Sequence, residues 1–465
     1  MQWTTAQGRG AIARSFPYFV AVGAWCGALV PIDAPMVGAL GVLVGSLVLR
    51  RRAVVGVACT LAASILAANA LGGLTPLAEG PWQGAVQLVA DPAERGGGTS
   101  VDVDTASGRM ELTAWGAPGR VLDEASAGEE VWLSGTVVAL RRSDSTIARH
   151  VRDRLRATTV RRLGRTAWWM VVPNAIRGVV LDGAAPLPTE QRPVYAGFVL
   201  GDDRGRSEDL TMAFERAGLL HLLVVSGENL VFILLVAAPI LGRLGRRSRM
   251  VATLGLLALF AAMTRFEPSV LRATAMATIA VVAVAADRRV TGRRTLAVAV
   301  TALVLIDPLL VHSLGFRLSV AASAGIVLLA PVIERRLRGP QRLRTGLAVT
   351  IAAQAAVAPL IIPVFGPMPL VAIPANVLAE PIAGLVMMWG SSVGLIAGMI
   401  GGPVALVLQL PTRLGLWWVI GVAERASSLP AIGVSLPMLI GLAIGSLTVM
   451  VVGRHRRRRR SLVAR

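Results

Sequence analysis

The chain has 465 residues, of which 54% are hydrophobic and 16% charged, and its mean hydropathy is +0.65. These values exclude an ordinary soluble domain, a disordered or collagen-like chain and a disulfide-rich scaffold, and they predict a membrane protein with several spans. The net charge is +20, but all 47 basic residues are arginine, and a composition so biased gives little support for nucleic-acid binding by itself.

The chain begins with three apolar segments that predict transmembrane helices. They cover residues 16–31, 36–49 and 53–71, and three consecutive arginines, Arg50 to Arg52, separate the last two. A span needs about 20 residues, and shorter ones are tolerated where flanking arginines reach the interface. Residues 1–71 are therefore predicted to form N-terminal membrane helices.

A polar stretch with strand-like alternation follows at residues 72–147. Alternating runs lie at 84–89, 100–104, 110–115 and 130–140, and glycine-rich turn sequences separate them. Four or five short strands in about 65 residues favour a small β-barrel of the OB type over a sandwich. We predict an all-β domain inserted after the third span.

Residues 148–190 are strongly basic and are predicted to be helical. Arginines between Arg149 and Arg165 precede Trp168 and Trp169, which is typical of a helix that lies at the membrane interface. The alternative is contact with the phosphates of a nucleic acid. The side chains that would make that contact are Arg154, Arg161, Arg162 and Arg165.

Apolar runs resume in the second half and predict a channel-like helical domain at residues 191–452, followed by a basic tail at 453–465. The runs cover residues 219–241, 250–263, 270–286, 295–311, 314–333, 346–363, 378–400, 404–422 and 434–452. With the first three, they predict about 12 spans. The predicted fold is a polytopic α-helical membrane protein with an external OB-like domain.

The distribution of arginine predicts the orientation of these spans. If the spans alternate from a cytoplasmic N-terminus, the cytoplasmic connections and tail hold 25 arginines, whereas the short external connections hold only Arg265 and Arg425. Cytoplasmic loops of membrane proteins carry such an excess. Both termini are therefore predicted to be cytoplasmic and the β-domain external.

Polar residues are concentrated at residues 217–229, within a predicted span. On a continuous helix His221, Val225, Glu228 and Asn229 would share one face, and such groups in a membrane usually mark a path or a site. Ser226 and Gly227 also suit a broken helix that exposes backbone groups to a solute. The alternative is that His221 and Glu228 only satisfy each other in a packing contact.

Other polar residues within the apolar runs are Arg272, Arg317, Gln354 and Asn376. For the two arginines, the alternative to lining a path is that each reaches toward the interface while its stem stays buried. We predict a translocation path formed by these four residues together with His221, Ser226, Gly227, Glu228 and Asn229.

Several motifs follow one another in an order that resembles the competence domain of ComEC family DNA-uptake channels. They are Gly201-Asp202-Asp203-Arg204, residues 217–229, Ser269-Val270-Leu271-Arg272-Ala273, Asp307-Pro308, Gly315-Phe316-Arg317-Leu318-Ser319 and Pro374-Ala375-Asn376. The resemblance covers nearly the whole chain. It implies that single-stranded DNA crosses the cytoplasmic membrane through this protein during natural transformation, and that residues 201–204 form a family-motif loop.

Two features depart from the family pattern. Glu228 places a carboxylate where a polyanion would pass, and the chain lacks the clustered histidines of the metallo-β-lactamase-like domain that longer members carry. We therefore expect no enzymatic activity, no metal and no cofactor. No Gly-rich loop ends in Gly-Lys, so a DNA receptor, an ATP-driven motor and a nuclease are expected to be separate partners, in addition to membrane lipid.

Two other functions remain open from the residues. A permease or flippase for another solute would use the same kind of broken helix. An intramembrane serine protease would use Ser226 and His221, but Val224 occupies the position where the rhomboid Gly-x-Ser-Gly pattern requires glycine.

The orientation can be tested with reporter fusions. Reporters placed after Arg249, Arg294 and Arg344 should read cytoplasmic because these connections are rich in arginine, and a reporter inserted near Gly97 should read external. The measurement is paired alkaline phosphatase and fluorescent-protein activity in cells. A cytoplasmic reading near Gly97 would contradict the predicted topology.

Overall fold

The computed structural model describes residues 3–33, 52–430, 433–434 and 437–438. The predicted span 36–49, nearly all of the predicted span 434–452 and the tail 453–465 lie outside these ranges. Two N-terminal helices, α1 (Trp3–Leu29) and α2 (Arg52–Gly72), pack against each other. Their buried side chains join those of later helices in one core, where the rings of Trp25 and Phe316 stack with centroids 5.6 Å apart.

A small β-barrel follows α2 and confirms the predicted β-rich region. Its strands are β1 (Gly80–Leu88), β2 (Ala93–Arg95), β3 (Gly98–Thr105), β4 (Gly108–Ala114), β5 (Glu129–Val138) and β6 (Asp153–Thr166), with α3 (Gly116–Asp123) and α4 (Asp144–Ala148) between them. The sheet closes because β1 pairs with both β5 and β3. All pairs are antiparallel except β4 with β6, which are parallel.

The prediction that residues 148–190 are helical is wrong over residues 153–166, which form strand β6. Leu155 and Ala157 point into the barrel core and are buried, whereas the alternate residues Arg154 and Arg156 face outward. This alternation has the two-residue period of a strand. Only the following segment is helical, as α5 (Trp168–Asp182), which begins with the exposed Trp168 and Trp169.

The second half of the chain is helical. Its helices are α6 (Gln191–Leu200), α7 (Glu208–Arg216), α8 (Gly227–Leu241), α9 (Arg246–Met263), α10 (Pro268–Ala285), α11 (Gly292–Ile306), α12 (Leu314–Leu328), α13 (Ala330–Glu334), α14 (Gln341–Phe365), α15 (Ala372–Ile400), α16 (Gly402–Leu408) and α17 (Leu410–Ser427). Short 3₁₀ turns lie at Leu220–Leu223 and Pro308–His312, and β7 (Met368–Pro369) pairs with β8 (Gly433–Val434).

Several described helices are long and apolar enough to cross a membrane: α2, α10, α12 together with α13, α14 and α15. Over the described ranges there are five, or six if α16 and α17, which meet at 49°, count as one bent span. This is fewer than the 12 spans predicted. The predicted spans at 219–241, 250–263, 295–311 and 404–422 correspond to shorter, interrupted or less apolar helices.

Helices α5 and α15 approach each other closely through glycine. A Cβ atom at Gly398 would overlap the backbone carbonyl oxygen of Val179, and one at Gly183 would overlap that of Gly394. Side chains at these positions would force the two backbones apart. Because α5 follows the barrel directly, this contact joins the barrel connection to the longest helix of the membrane domain.

Gly398→Ala should therefore destabilise the protein by about 1–3 kcal/mol, since the added methyl group has no space. The matched control is Gly255→Ala, because a Cβ atom at Gly255 on α9 meets nothing within 4 Å and alanine is the better helix former. The apparent melting temperature of each detergent-purified variant is the measurement. Equal values for Gly398→Ala and the parent protein would show that the helices separate without cost.

Candidate functional site

The chain leaves helical geometry between α7 and α8, at residues 217–226. Gly218 has a φ of +70°. The segment is irregular except for a 3₁₀ turn at Leu220–Leu223. Ser226 caps α8, since its Oγ accepts a 3.2 Å hydrogen bond from the Glu228 amide. The predicted break at Ser226 and Gly227 is confirmed. The predicted continuous helical face from His221 to Asn229 is wrong because His221 and Val225 precede the helix.

Side chains from two helices hold this segment through its carbonyl groups. Ser269 on α10 donates to the Val225 carbonyl at 2.6 Å. Asn376 on α15 donates to the Gly218 carbonyl at 3.5 Å and to the Ala372 carbonyl at 2.6 Å. These bonds replace those that a continuous helix would supply.

Asn229 is fully buried and fixes the start of α8. Its Nδ2 donates to the Phe198 carbonyl at the end of α6 at 2.6 Å. Helix ends leave carbonyl groups without intrahelical donors, so Asn229 satisfies one of them. The structure therefore places Asn229 and Asn376 as supports of the segment and not as exposed groups.

Arg272 on α10 lies directly against Gly227. A Cβ atom at Gly227 would stand 3.2 Å from Arg272 Nη2 and 2.7 Å from the Ala273 Cβ, so glycine permits this approach. Arg272 Nε donates to Ser319 Oγ at 2.7 Å. Within the described part of the chain, no carboxylate pairs with this guanidinium.

His221 and Glu228 are the exposed polar side chains of the motif. The His221 imidazole bonds only to the Gly218 backbone, and neither a histidine nor an arginine pairs with the Glu228 carboxylate among the residues described. The packing contact between His221 and Glu228, left open above, is therefore not formed. Glu228 Oε1 lies 3.8 Å from the position of a Cβ atom at Gly384, one helical turn beyond Glu380 on α15.

The loop at Gly201 to Arg204 packs beneath the same segment. Gly201 ends α6 with a φ of +70°, and a Cβ atom there would stand 2.9 Å from Val225 Cγ2. Asp202 is buried, accepts from the Arg204 amide at 3.2 Å and binds the Arg204 guanidinium through both of its oxygens. Asp203 is exposed.

Arg177 on α5 connects this loop to its surroundings, and it was not among the predicted site residues. It binds Asp202 at 3.0 Å and Asp91 at 2.7 Å, and its Nη1 donates to the carbonyls of Leu200 and Met263. An arginine in an apolar helix is the signal that could have identified it, because a buried guanidinium requires partners.

Asp91, in the barrel loop after β1, completes the network. It binds Arg177 and also Arg265, which precedes α10, and it accepts from the Ala127 amide at 2.9 Å. Burial alone would raise the pKa of Asp91, but the two guanidinium charges and these hydrogen bonds lower it from 3.8 to about 2. The resulting stability is present above pH of about 4 and is lost as the pH falls through about 2.

Arg317 and Gln354 do not join the site at residues 217–229. Arg317 at the start of α12 binds Asp144 of the barrel at 2.6 Å and the carbonyl of His312. His312 Nδ1 also binds Asp144, at 3.1 Å. Gln354 lies on α14, whose main partner is α12. Arg317 thus contacts the barrel, away from residues 217–229, and its part in a path stays a prediction.

The four arginines predicted to contact DNA lie on β6, where the barrel's own acids face them. Arg154 binds Glu111 at 2.6 Å and Arg162 binds Glu129 at 3.0 Å. Arg161 stands over the ring of Trp132, with its Cζ 5.9 Å from the centroid. The side chain of Arg165 is 79% exposed and lies 3.8 Å from Glu130. Arg161 and Arg165 are thus the two that remain most accessible.

Together the helices and the docked barrel define a membrane protein whose centre is a broken helix supported by amide and hydroxyl side chains. A family model described as Competence protein matches residues 198–459, more than half of the chain. The chain belongs to this family, the ComEC-type competence proteins. The matched residues include the loop at 201–204 and the segment at 217–226.

The chain is also similar to a curated protein. The chain is 24% identical to ComE operon protein 3 of Bacillus subtilis (strain 168) over 216 residues. The match covers 45% of this chain and 27% of the relative, so most of the relative's length lies outside it.

The buried Asn229 and the exposed His221 should differ in how much each contributes to the free energy of unfolding. Asn229→Ala should lower the free energy of unfolding by about 1–3 kcal/mol, because the Phe198 carbonyl loses its buried donor. His221→Ala should leave it unchanged, since the imidazole is exposed. Thermal unfolding of the purified variants measures both. A loss of equal size in the two variants would contradict the distinction.

Proposed function

We propose that this chain is a membrane channel that carries single-stranded DNA across the cytoplasmic membrane during natural transformation. The observation that carries the proposal is the Arg272 guanidinium, which lies against the Gly227 backbone with no described carboxylate beside it. A phosphodiester needs such a cation, and arginine binds phosphate through a planar fork of donors.

The backbone around Arg272 supports the same function. Non-helical chain at membrane depth is tolerated where it is buried in protein or lines a water-filled cavity. Val225 meets the first condition because it is buried, and we propose that the exposed Val224 and His221 face the path. Irregular backbone of this kind offers amide and carbonyl groups to a moving solute, as in selectivity filters and broken transporter helices.

The barrel adds a second place for DNA contact. Its closed strand order, with one parallel pair between β4 and β6 and a helix before β5, is that expected of an OB-type barrel. Trp132 with Arg161 above it offers a ring and a cation, the combination that binds single strands through base stacking and phosphate contact. Arg165 extends this surface.

In this proposal the chain performs transport and not catalysis. The barrel lies outside the cell and both termini are cytoplasmic, as the arginine distribution predicts. A receptor that delivers DNA, an ATP-driven motor and a nuclease act as separate partners. Ser226 Oγ caps α8, an arrangement that gives no support to a serine nucleophile.

A permease or flippase for a different solute is the second candidate, and the acidic side chains favour it. Glu228 is exposed without a described cationic partner, and Glu380 lies one turn from the glycine that Glu228 approaches. Two carboxylates beside a path would repel a polyanion and attract a cation. Under this alternative, Glu228→Gln should abolish transport, whereas a DNA channel should tolerate the change.

The test of the DNA channel is Arg272→Gln in a transformable host that lacks its own copy. Uptake of labelled DNA should fall at least about tenfold, because a hydrogen bond to a charged group contributes about 1.5–3 kcal/mol. Arg272→Lys should recover part of the uptake, since it keeps the charge and loses the fork.

The matched control is Arg289→Gln, which removes an exposed arginine just beyond the other end of α10. It should leave uptake and membrane levels unchanged. Normal uptake by Arg272→Gln at normal protein levels would remove the observation on which the channel proposal depends.

A further inference from the structure

Asp91 lies in the barrel, yet most of its partners belong to the membrane domain. Its Oδ1 accepts from Arg265 Nη2 at 2.7 Å and from the Ala127 amide at 2.9 Å. Its Oδ2 accepts from Arg177 Nη2 at 2.7 Å and from Arg265 Nε at 3.0 Å. The carboxylate is thus buried, fully hydrogen-bonded and shared between two guanidinium groups from different elements.

One branch of this contact leads to the motif segment. Arg177 binds both Asp91 and Asp202. Asp202 in turn fixes the loop at 201–204, whose Gly201 packs on Val225. The same guanidinium holds the Leu200 carbonyl at the end of α6. The position of the loop beneath residues 217–226 therefore depends on where Asp91 holds Arg177.

The other branch leads to the helix that carries Arg272. Arg265 and Phe266 have φ values of 56°, so two consecutive non-glycine residues adopt the left-handed conformation. Each such residue costs on the order of 1–3 kcal/mol and persists only where its surroundings hold it. Asp91 supplies that hold through a two-point bond to Arg265, and α10 begins two residues after Phe266.

We propose that Asp91 is a positioning residue through which the barrel sets the placement of the motif segment against Arg272. The loop at 201–204 and the start of α10 form the two sides of the site. Asp91 binds Arg177, which holds the loop, and Arg265, which precedes α10. The consequence for DNA transport rests on the proposed channel function, whereas the positioning itself does not.

Other contacts should keep the barrel docked when Asp91 is altered, so we expect a local effect. A second contact joins Asp144 to His312 and Arg317, and His150 Nε2 binds Asp307 at 3.0 Å. Loss of Asp91 would remove the carboxylate that pairs with Arg265 and would leave Arg177 with Asp202, which also binds Arg204. Unpaired buried charges are strongly unfavourable, so the arginines would move and both sides of the site would shift.

The experiment follows the motif segment directly. Cys26 and Cys59 are replaced by serine and alanine, and Val224, which is 43% exposed, is changed to cysteine as a reporter. The rate of its reaction with a water-soluble maleimide is measured in the full-length protein in detergent. Asp91→Asn should change this rate at least about threefold and reduce DNA uptake at least about tenfold.

A second variant and a control separate positioning from general damage. Arg265→Lys keeps the charge but loses the two-point bond, so it should shift the labelling rate in the same direction while the melting temperature stays near that of the parent. Asp104→Asn breaks an ion pair with Arg109 that lies within the barrel, and it should change neither labelling nor uptake. If Asp91→Asn does not accumulate, Arg265→Lys decides the result.

The outcomes for the two proposals differ. Unchanged labelling in Asp91→Asn and Arg265→Lys would overturn the positioning role, whatever happens to uptake. Shifted labelling in a protein whose parent takes up no DNA would support the positioning role and overturn the channel.

Discussion

A backbone that leaves helical geometry among membrane helices must find partners for its carbonyl groups in side chains, because lipid offers none. This constraint accounts for the arrangement of the motif residues. Asn229 donates to a carbonyl at the end of α6, Ser269 donates to the Val225 carbonyl and Asn376 donates to the Gly218 carbonyl. Arg177 Nη1 donates to carbonyls at the ends of both α6 and α9. Removing any of these donors leaves a polar group unsatisfied in a low-dielectric environment, at a cost of about 1–3 kcal/mol or more.

The same constraint divides the motif residues by role. Short amides and hydroxyls are buried and bond to the backbone, and glycines occur where another group comes too close for a Cβ atom, as at Gly218 and Gly227. His221 and Glu228 are exposed instead, and Arg272 lies against Gly227 without an acidic partner in the described residues. The motif is thus mainly a framework, and its chemistry is concentrated in a few ionisable side chains.

Local patterns in the sequence predicted much of this structure, and long-range contacts account for most of what they did not predict. Alternation identified β1, β3, β4 and β5, and Ser226-Gly227 identified the start of α8. Strand β6 was predicted as a helix because its arginines were weighed as a charged run, although Leu155 and Ala157 alternate with them. Asp202 was selected, but its partner Arg177 was not, and neither was Asp91. Such partners meet only after the barrel has docked, and no local period encodes that contact.

The contacts of the barrel bear on the orientation that arginine counts predict. Asp91 reaches the connection at Arg265, between α9 and α10, and Asp144 reaches the connection at His312, between α11 and α12. Both connections were assigned to the same side as the barrel from charge alone. The arginine-rich connections at 243–249, 288–294 and 335–344 lie at the other ends of these helices. The packing agrees with this orientation, which stays a prediction.

The described arginines fall into two groups. Exposed arginines lie in the connections at one end of these helices, whereas Arg177, Arg265 and Arg317 near the barrel each pair with a carboxylate. Arg272 has neither arrangement in the described chain, and this half-buried cation without a described counter-charge is the group on which the proposed binding of a polyanion depends.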